Sequence, residues 1–375
     1  MEHARAAIAI ERLQNDIAEF AAEFADFGDV TYGPVDYNTA NLNLNSTTVA
    51  TGGVINVQSN TTGNALSINF LQPGNTSALT ANSASGGIRF NPTTAGDINI
   101  AGGPANGLID AGSNVVDYSG GTVSVNVNQI IGCNEATDAT QGTFSLTTQT
   151  GNLDLGDITA SGAVTAIANG GSINVKDNKT IQTDGGAFDI SLTSATNNVA
   201  FGSNAQARAT FAGSDVNVNA ENGQLTMGSG SLILGHTDVN IVTPTTDMSA
   251  GTNQIAANTG NTNIDRGASG NPLNISMGSN SVITATGDLN FNSTNNGDAT
   301  IDGNGEGLLA GTNIRFNGGN VVVDVDETRG NLVTGVDVAS ADVLTDTGNQ
   351  EVGPFTSTGN ASFRATGGNV NFNAN

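Results

Sequence analysis

From about Thr31 onward the chain repeats one short phrase: a turn containing glycine, then an apolar residue, a polar one and an apolar one. Gly53-Val54-Ile55-Asn56-Val57, Gly96-Asp97-Ile98-Asn99-Ile100, Gly171-Ser172-Ile173-Asn174-Val175, Gly287-Asp288-Leu289-Asn290-Phe291 and Gly368-Asn369-Val370-Asn371-Phe372 all carry it. An Asn flanked on both sides by Val, Ile, Leu or Phe occurs eleven times. Phe188-Asp189-Ile190, Ile314-Arg315-Phe316 and Val323-Asp324-Val325 read as variants with another central residue. Period-two alternation is the mark of a half-buried strand. Gly, Asn, Asp and Thr punctuate the intervals as turn residues do. No helical period separates the strands, which excludes βαβ units. The triplets are unevenly spaced, 13 residues apart at Asn43, Asn56 and Asn69 and further apart later.

Residues 1–28 follow a different period. Ile10, Leu13, Ile17, Phe20, Phe24 and Phe27 recur at alternating steps of three and four, with Glu11, Asp16, Glu19, Glu23 and Asp26 between them. That is one apolar stripe on an amphipathic α-helix, and Gly28 comes after it as a terminating glycine does. The stripe needs a partner surface. It serves either as a cap over the first open coil or as an assembly element docking on a neighbouring subunit.

The pattern therefore predicts an all-β chain: a single-stranded parallel β-solenoid (β-helix) over 29–375, preceded by the helix of 1–28. Two or three short strands per coil with turns of variable length give irregular spacing of this kind. Composition supports a narrow core. Glycine makes up 50 of the 375 residues, aromatics 5% and tryptophan none, while 37% of residues are hydrophobic. That last share is too high for a disordered polar linker, and the scarcity of large aromatics argues against a wide antiparallel sandwich. The recurrent Asn has a structural role to fill. Stacked amides in successive coils hydrogen-bond into ladders, and Asn tolerates the left-handed backbone of a sharp corner.

Charge removes several function classes. The net charge is −24, from 34 acidic and 10 basic residues. The basic residues are scattered singly, so no stripe exists to track a phosphate backbone and no nucleic-acid partner is expected. Acidity also repels anionic membrane surfaces, and no apolar run approaches the roughly 18–20 residues of a membrane span. No signal peptide is visible in residues 1–28, whose apolar positions are interrupted by charge. Cys133 is the single cysteine, which excludes an internal disulfide framework and a Cys-based zinc site.

Stretches such as Gly151-Asn-Leu-Asp-Leu-Gly-Asp-Ile158, the run from Ala160 to Val175, and Thr286-Gly-Asp-Leu-Asn-Phe291 resemble the degenerate repeats of filamentous-haemagglutinin-like adhesins and autotransporter passenger domains. The resemblance covers roughly 31–375 and lies in the style of the repeat, which Gly-rich phage fibres share. It implies a right-handed parallel β-helix at a bacterial surface, acting in adhesion or matrix building. The N-terminal helix departs from the start of that family.

Residues able to carry chemistry are few. His3 and His236 are far apart, too sparse for a His-based nucleophilic site. Asp324 and Asp326 share an outward strand face about 7 Å apart, a separation open to an inverting glycosidase, but no sugar platform accompanies them and solvated carboxylates are the plainer reading. Asp302-Gly-Asn-Gly-Glu-Gly307 has the ligand types calcium takes. It occurs once and lacks both EF-hand and nonapeptide spacing, so it reads as a turn and no cofactor is expected. Thr147-Thr148-Gln149-Thr150 and Thr243-Pro-Thr-Thr246 suggest a flat Thr face, and Asn45, Asn60 and Asn292 open Asn-x-Ser/Thr sites. No enzymatic activity is expected. The function expected is an extracellular structural or adhesive surface protein that self-assembles head to tail, its partners being further copies of itself and surface glycans. A virion fibre or tailspike is the alternative, and a carbohydrate-active β-helix enzyme the second.

Overall fold

A computed structural model describes residues 30–91, 96–137, 142–267, 272–292, 297–317, 319–334, 338–347 and 349–373. The stripe Ile10, Leu13, Ile17, Phe20, Phe24 and Phe27 lies outside the described residues, and with it the expected helix. Among the described residues the elements are strands, apart from one 3-10 turn at Gly103–Ala105. The chain forms two compact units, the first ending at Gly151 and the second running from Asn152. Each is a parallel β-solenoid, as the alternation predicts.

In the second unit three short strands make a coil. Val164–Ala168, Ile173–Val175 and Thr180–Thr183 form one, and Ile190–Ser194, Val199–Phe201 and Gln206–Ala209 the next. Each strand pairs in parallel with its counterpart one coil on, which builds three columns. In the first column Val164 pairs with Ile190, Ile190 with Val216, Val216 with Val239, Val239 with Thr262 and Thr262 with Leu289. The coil is therefore 26 residues long at Ile190–Val216 and 23 at Val216–Val239. Only the turns change length. The paired residues keep one side of the pleat inward, so Ile, Leu and Val stack directly on one another along the axis.

The first unit obeys the same rule. Leu42, Ile68, Ile100, Val125 and Leu146 form one continuous inward row. This register explains the 13-residue spacing in the sequence. Asn43 pairs with Asn69, 26 residues on, while Asn56 pairs with Asp36 in a different column. Thirteen residues is thus half a coil, and the Asn triplets alternate between faces. This core also holds a cluster of aromatics. Tyr118 stacks on Phe90 at 5.3 Å and meets Phe144 edge-on at 5.6 Å. Its hydroxyl is buried and donates to Asn134 Oδ1 at 3.1 Å. Burial, then the charge of Asp117, push the Tyr118 hydroxyl far above its usual ionisation range.

One corner of the second unit is made by a left-handed residue at the same place in successive coils. Asn178, Asn204, Gly230, Thr252 and Asn280 have φ of 59°, 55°, 76°, 56° and 58°. Each stands two residues before the paired row Thr180, Gln206, Leu232, Gln254 and Val282. Asn fills the position because its short polar side chain tolerates that backbone.

The Thr-rich segments do not form a flat outer face. Thr148, Thr243 and Thr246 are buried, because alternation turns every second residue of a strand inward. Thr246 occupies the inward row between Leu225 and Ile275, and its buried hydroxyl has no hydrogen-bond partner. A lone buried hydroxyl costs about 1–3 kcal/mol. Thr246→Val is therefore expected to raise unfolding free energy by about 1 kcal/mol, read from the urea midpoint at unchanged m-value. A midpoint that falls would mean that the hydroxyl is bonded.

Candidate functional site: the polar ladders of the second unit

The outward residues of the second unit are organised as strictly as the inward ones. Along the first column the central Asn of each triplet stacks on the next. Asn240 Nδ2 donates to Asn217 Oδ1 at 3.0 Å, Asn263 to Asn240 at 2.8 Å, and Asn290 to Asn263 at 2.8 Å. The register supplies this alignment, since Asn217, Asn240, Asn263 and Asn290 are mutual pairing partners. Each inner amide donates to one neighbour along the axis and accepts from the other.

A second ladder stands at the residue before each of these strands. The Oδ1 atoms of Asp189, Asp215, Asp238, Asn261 and Asp288 accept the backbone N–H of Asp215, Asp238, Asn261, Asp288 and Asn313 in turn. The distances are 2.8, 2.8, 2.7, 2.8 and 3.2 Å. The sequence carries its signal in Gly-Asp or Ser-Asp directly before an apolar residue, as at Asp97, Asp215 and Asp288. Their place among turn residues conceals this stacking in the sequence. Asp97 of the first unit does the same, accepting the Thr122 amide at 2.8 Å.

Three consecutive carboxylates in this ladder have an electrostatic consequence. Burial, then the facing charges of Asp189 and Asp238, push the Asp215 carboxyl above its ordinary value, against a backbone hydrogen bond from Asp238 that lowers it. Asp288, further along the column, is met by the Arg315 guanidinium at 3.4 Å.

The residues weighed for chemistry in the sequence are hydrogen-bonded within and between coils. Asp324 and Asp326 do flank an outward face, with Val323 and Val325 inward. Each is tied to structure: Asp324 accepts the Gly305 amide at 3.1 Å and Asp326 the Thr347 hydroxyl at 2.8 Å. In the Asp302–Gly307 turn, Asp302 accepts the Asn304 amide at 3.0 Å and Glu306 the Ser279 hydroxyl at 2.6 Å. Among the described residues no cluster of three or more His, Cys, Asp or Glu is arranged to hold a metal. His236 Nδ1 lies 3.4 Å from the Thr259 hydroxyl. Cys133 is half-buried, with its sulfur 3.9 Å from Glu135 Oε1. Asn292 is fully buried at φ 57°, its amide donating to the Gly297 and Asp298 carbonyls at 2.9 and 3.1 Å. It is a corner residue, closed to glycosylation in the folded chain. Phe188, which the pattern marks as the start of a strand triplet, stands instead in the turn before Ile190–Ser194, 41% exposed.

Compared with protein-family models, with curated proteins and with solved structures, the chain matches none.

The ladders can be tested at two positions. A Cβ at Gly287 would collide with Asn261 Oδ1 and lie 2.8 Å from the Gly260 carbonyl oxygen. Gly287→Ala is expected to destabilise by about 1–3 kcal/mol, and an unchanged denaturation midpoint would show that the ladder has slack. Asp215 holds its proton more tightly in the folded state than in the unfolded chain. Stability therefore falls as pH rises from the ordinary carboxylate range through the raised value. Asp215→Asn retains an acceptor for the Asp238 amide, as Asn261 does for Asp288. It is expected to be more stable than the parent at pH 7, an advantage that shrinks as the pH is lowered through that range. A variant no more stable at pH 7 would contradict strain in the column.

Proposed function

We propose that this chain is an extracellular structural or adhesive surface protein that self-associates end to end and does not catalyse a reaction. The observation that carries the reading is the employment of the outward polar side chains. Asn, Asp and Thr, which would line a catalytic cleft in an enzyme, here bond coil to coil, and the Asp324 and Asp326 carboxylates are engaged in the same way. We take the coils to wind right-handed, as crossovers between parallel strands overwhelmingly do. The stripe from Ile10 to Phe27 is proposed to take part in assembly. The haemagglutinin-like style of the repeats supports a location outside the cell, with surface glycans as further partners.

Self-association is favoured by the last described coil. Strands Ala361–Ala365 and Val370–Phe372 pair in parallel with Val338–Thr345 and Gln350–Val352. Phe355, Phe363 and Phe372 form an edge-to-face run at 4.9 and 6.0 Å, which leaves Phe372 72% exposed. Exposed aromatic rings in contact with one another offer an apolar surface on which a second copy can pack. Head-to-tail contacts that do not close give filaments.

Electron microscopy of the purified protein, beside its mass in solution, tests the reading. Linear polymers with a regular axial repeat are expected. A monodisperse monomer at high concentration would overturn self-assembly, and a compact trimer would favour the fibre alternative.

A further inference from the structure

The third column of the second unit departs from the rule of outward polar residues. Its strands Gln206–Ala209, Leu232–Gly235, Gln254–Ala257, Val282–Ala285 and Leu308–Phe316 pair in register from coil to coil. Ala207, Ile233, Ile255, Ile283 and Leu309 form the inward row and are fully buried. The residues on either side of them point outward, because successive side chains of a strand alternate between faces. One outward row runs Gln206, Leu232, Gln254, Val282 and Leu308, and the other Arg208, Leu234, Ala256, Thr284 and Ala310. In the four coils from Leu232 to Ala310, six of these eight outward positions are apolar. The first column of the same coils presents the Asn ladder instead. Leu232, Leu234, Val282, Leu308 and Ala310 are half-buried, each flanked by stacked neighbours one coil away. Ala256, between Leu234 and Thr284, is 4% exposed and leaves a shallow trough in the strip.

Arginines border this strip at both ends. Arg208, in register with Leu234, has a buried Nε without a hydrogen-bond partner. At the far end Ala310 pairs with Arg329, whose guanidinium is bonded to Glu327 at 2.9 and 2.8 Å. The sequence holds one segment whose pattern matches such a strip: Ile10, Leu13, Ile17, Phe20, Phe24 and Phe27, outside the described residues. As the helix that this spacing predicts, Ile10 to Phe27 would be about 27 Å long and about 10 Å wide. The two outward rows stand about 7 Å apart, and five coil steps from Arg208 to Arg329 measure about 24 Å. Asp16 and Glu23 precede Phe20 and Phe27 by four residues, which puts both carboxylates on the border of the stripe. Strip and stripe thus agree in length, in width and in the sign of their bordering charges.

We propose that the outward face of the third column, from Leu232 to Ala310, is the surface on which the Ile10–Phe27 stripe of a neighbouring copy docks. The stripe covers the leucines and Val282, and a carboxylate of Asp16 or Glu23 pairs with Arg208. Only Gly28 and Asp29 separate Phe27 from Val30, so the stripe ends within about 10 Å of that residue of the first unit. The face belongs to the second unit. Stripe and face are different surfaces, so their contact between copies is heterologous and propagates head to tail. This inference rests on the self-association proposed above and names its joint.

Sedimentation velocity of full-chain variants tests the joint. Leu234→Gln/Leu308→Gln breaks the face, and the coils accommodate Gln there because Gln182, Gln206 and Gln254 already stand in the same rows. Phe20→Gln/Phe24→Gln breaks the stripe. Each variant alone is expected to sediment as a monomer with the circular dichroism of the parent. An equimolar mixture of the two is expected to form one-to-one dimers, since one supplies an intact stripe and the other an intact face. Arg208→Glu leaves the apolar rows in place and should weaken assembly of the otherwise unchanged chain by about tenfold. Polymers that persist in all three variants as in the parent would overturn this joint and leave self-association standing. A mixture that stays monomeric would overturn the joint as well. A parent that is monomeric at high concentration would overturn both the joint and the reading on which it rests.

Discussion

Parallel stacking of one coil on the next is the constraint on which everything else here depends. Each inner strand has a counterpart one coil before and one after, and its side chains alternate between core and solvent. A slip of one residue would move every apolar side chain outward and every polar one inward. Three independent features hold the register in the second unit. The apolar rows stack inside, the Asn amides stack outside, and the Asx oxygens clasp the backbone at the strand entrance. Coil length changes from 26 to 23 residues between neighbouring coils, yet pairing stays in phase. The difference is absorbed in the turns between paired strands.

The ladders differ in their electrostatic expense. An amide stack is neutral, and each inner member is donor and acceptor at once, so it can be extended without accumulating charge. A carboxylate stack satisfies backbone amides equally well but brings like charges to coil spacing. The chain moderates this with Asn261 and Asn313 among the Asp residues and with Arg315 against Asp288. Lys176 and Lys179 similarly bridge to Asp154 and Asp157 of the preceding coil at 2.6 and 2.9 Å. Exposed pairs of this kind contribute little stability, about 0–1 kcal/mol, but they favour one register over its neighbours.

Function is shaped by the same economy of polar groups. Side chains committed to axial hydrogen bonds are poor general acids, bases or ligands, because withdrawing them breaks a coil contact. What the ladders leave outside includes apolar rings: Phe188 and Phe211 in lengthened turns, and Phe372 in the last described coil. The proposed role as a self-associating scaffold rests on that division of the side chains.

The alternation of apolar and polar residues by itself determined that the described residues form β-strands stacked as parallel coils, and the repeated Asn announced amide ladders and left-handed corners. Those are local properties, since period two and the backbone tolerance of Asn hold wherever the strand lies. Only the tertiary structure decided which triplets share a face. Asn43 meets Asn69 and not Asn56, because half a coil separates neighbours in sequence. It also decided that the Asp before each strand clasps the next coil, that Thr246 faces inward, and that Asn292 is buried at a corner. Phe188-Asp189-Ile190 shows the limit most plainly. Its pattern is that of a strand, yet the preceding coil fixes where Ile190 begins pairing and leaves the ring outside. Register is set by contacts a whole coil apart, and no window of sequence shorter than a coil contains them.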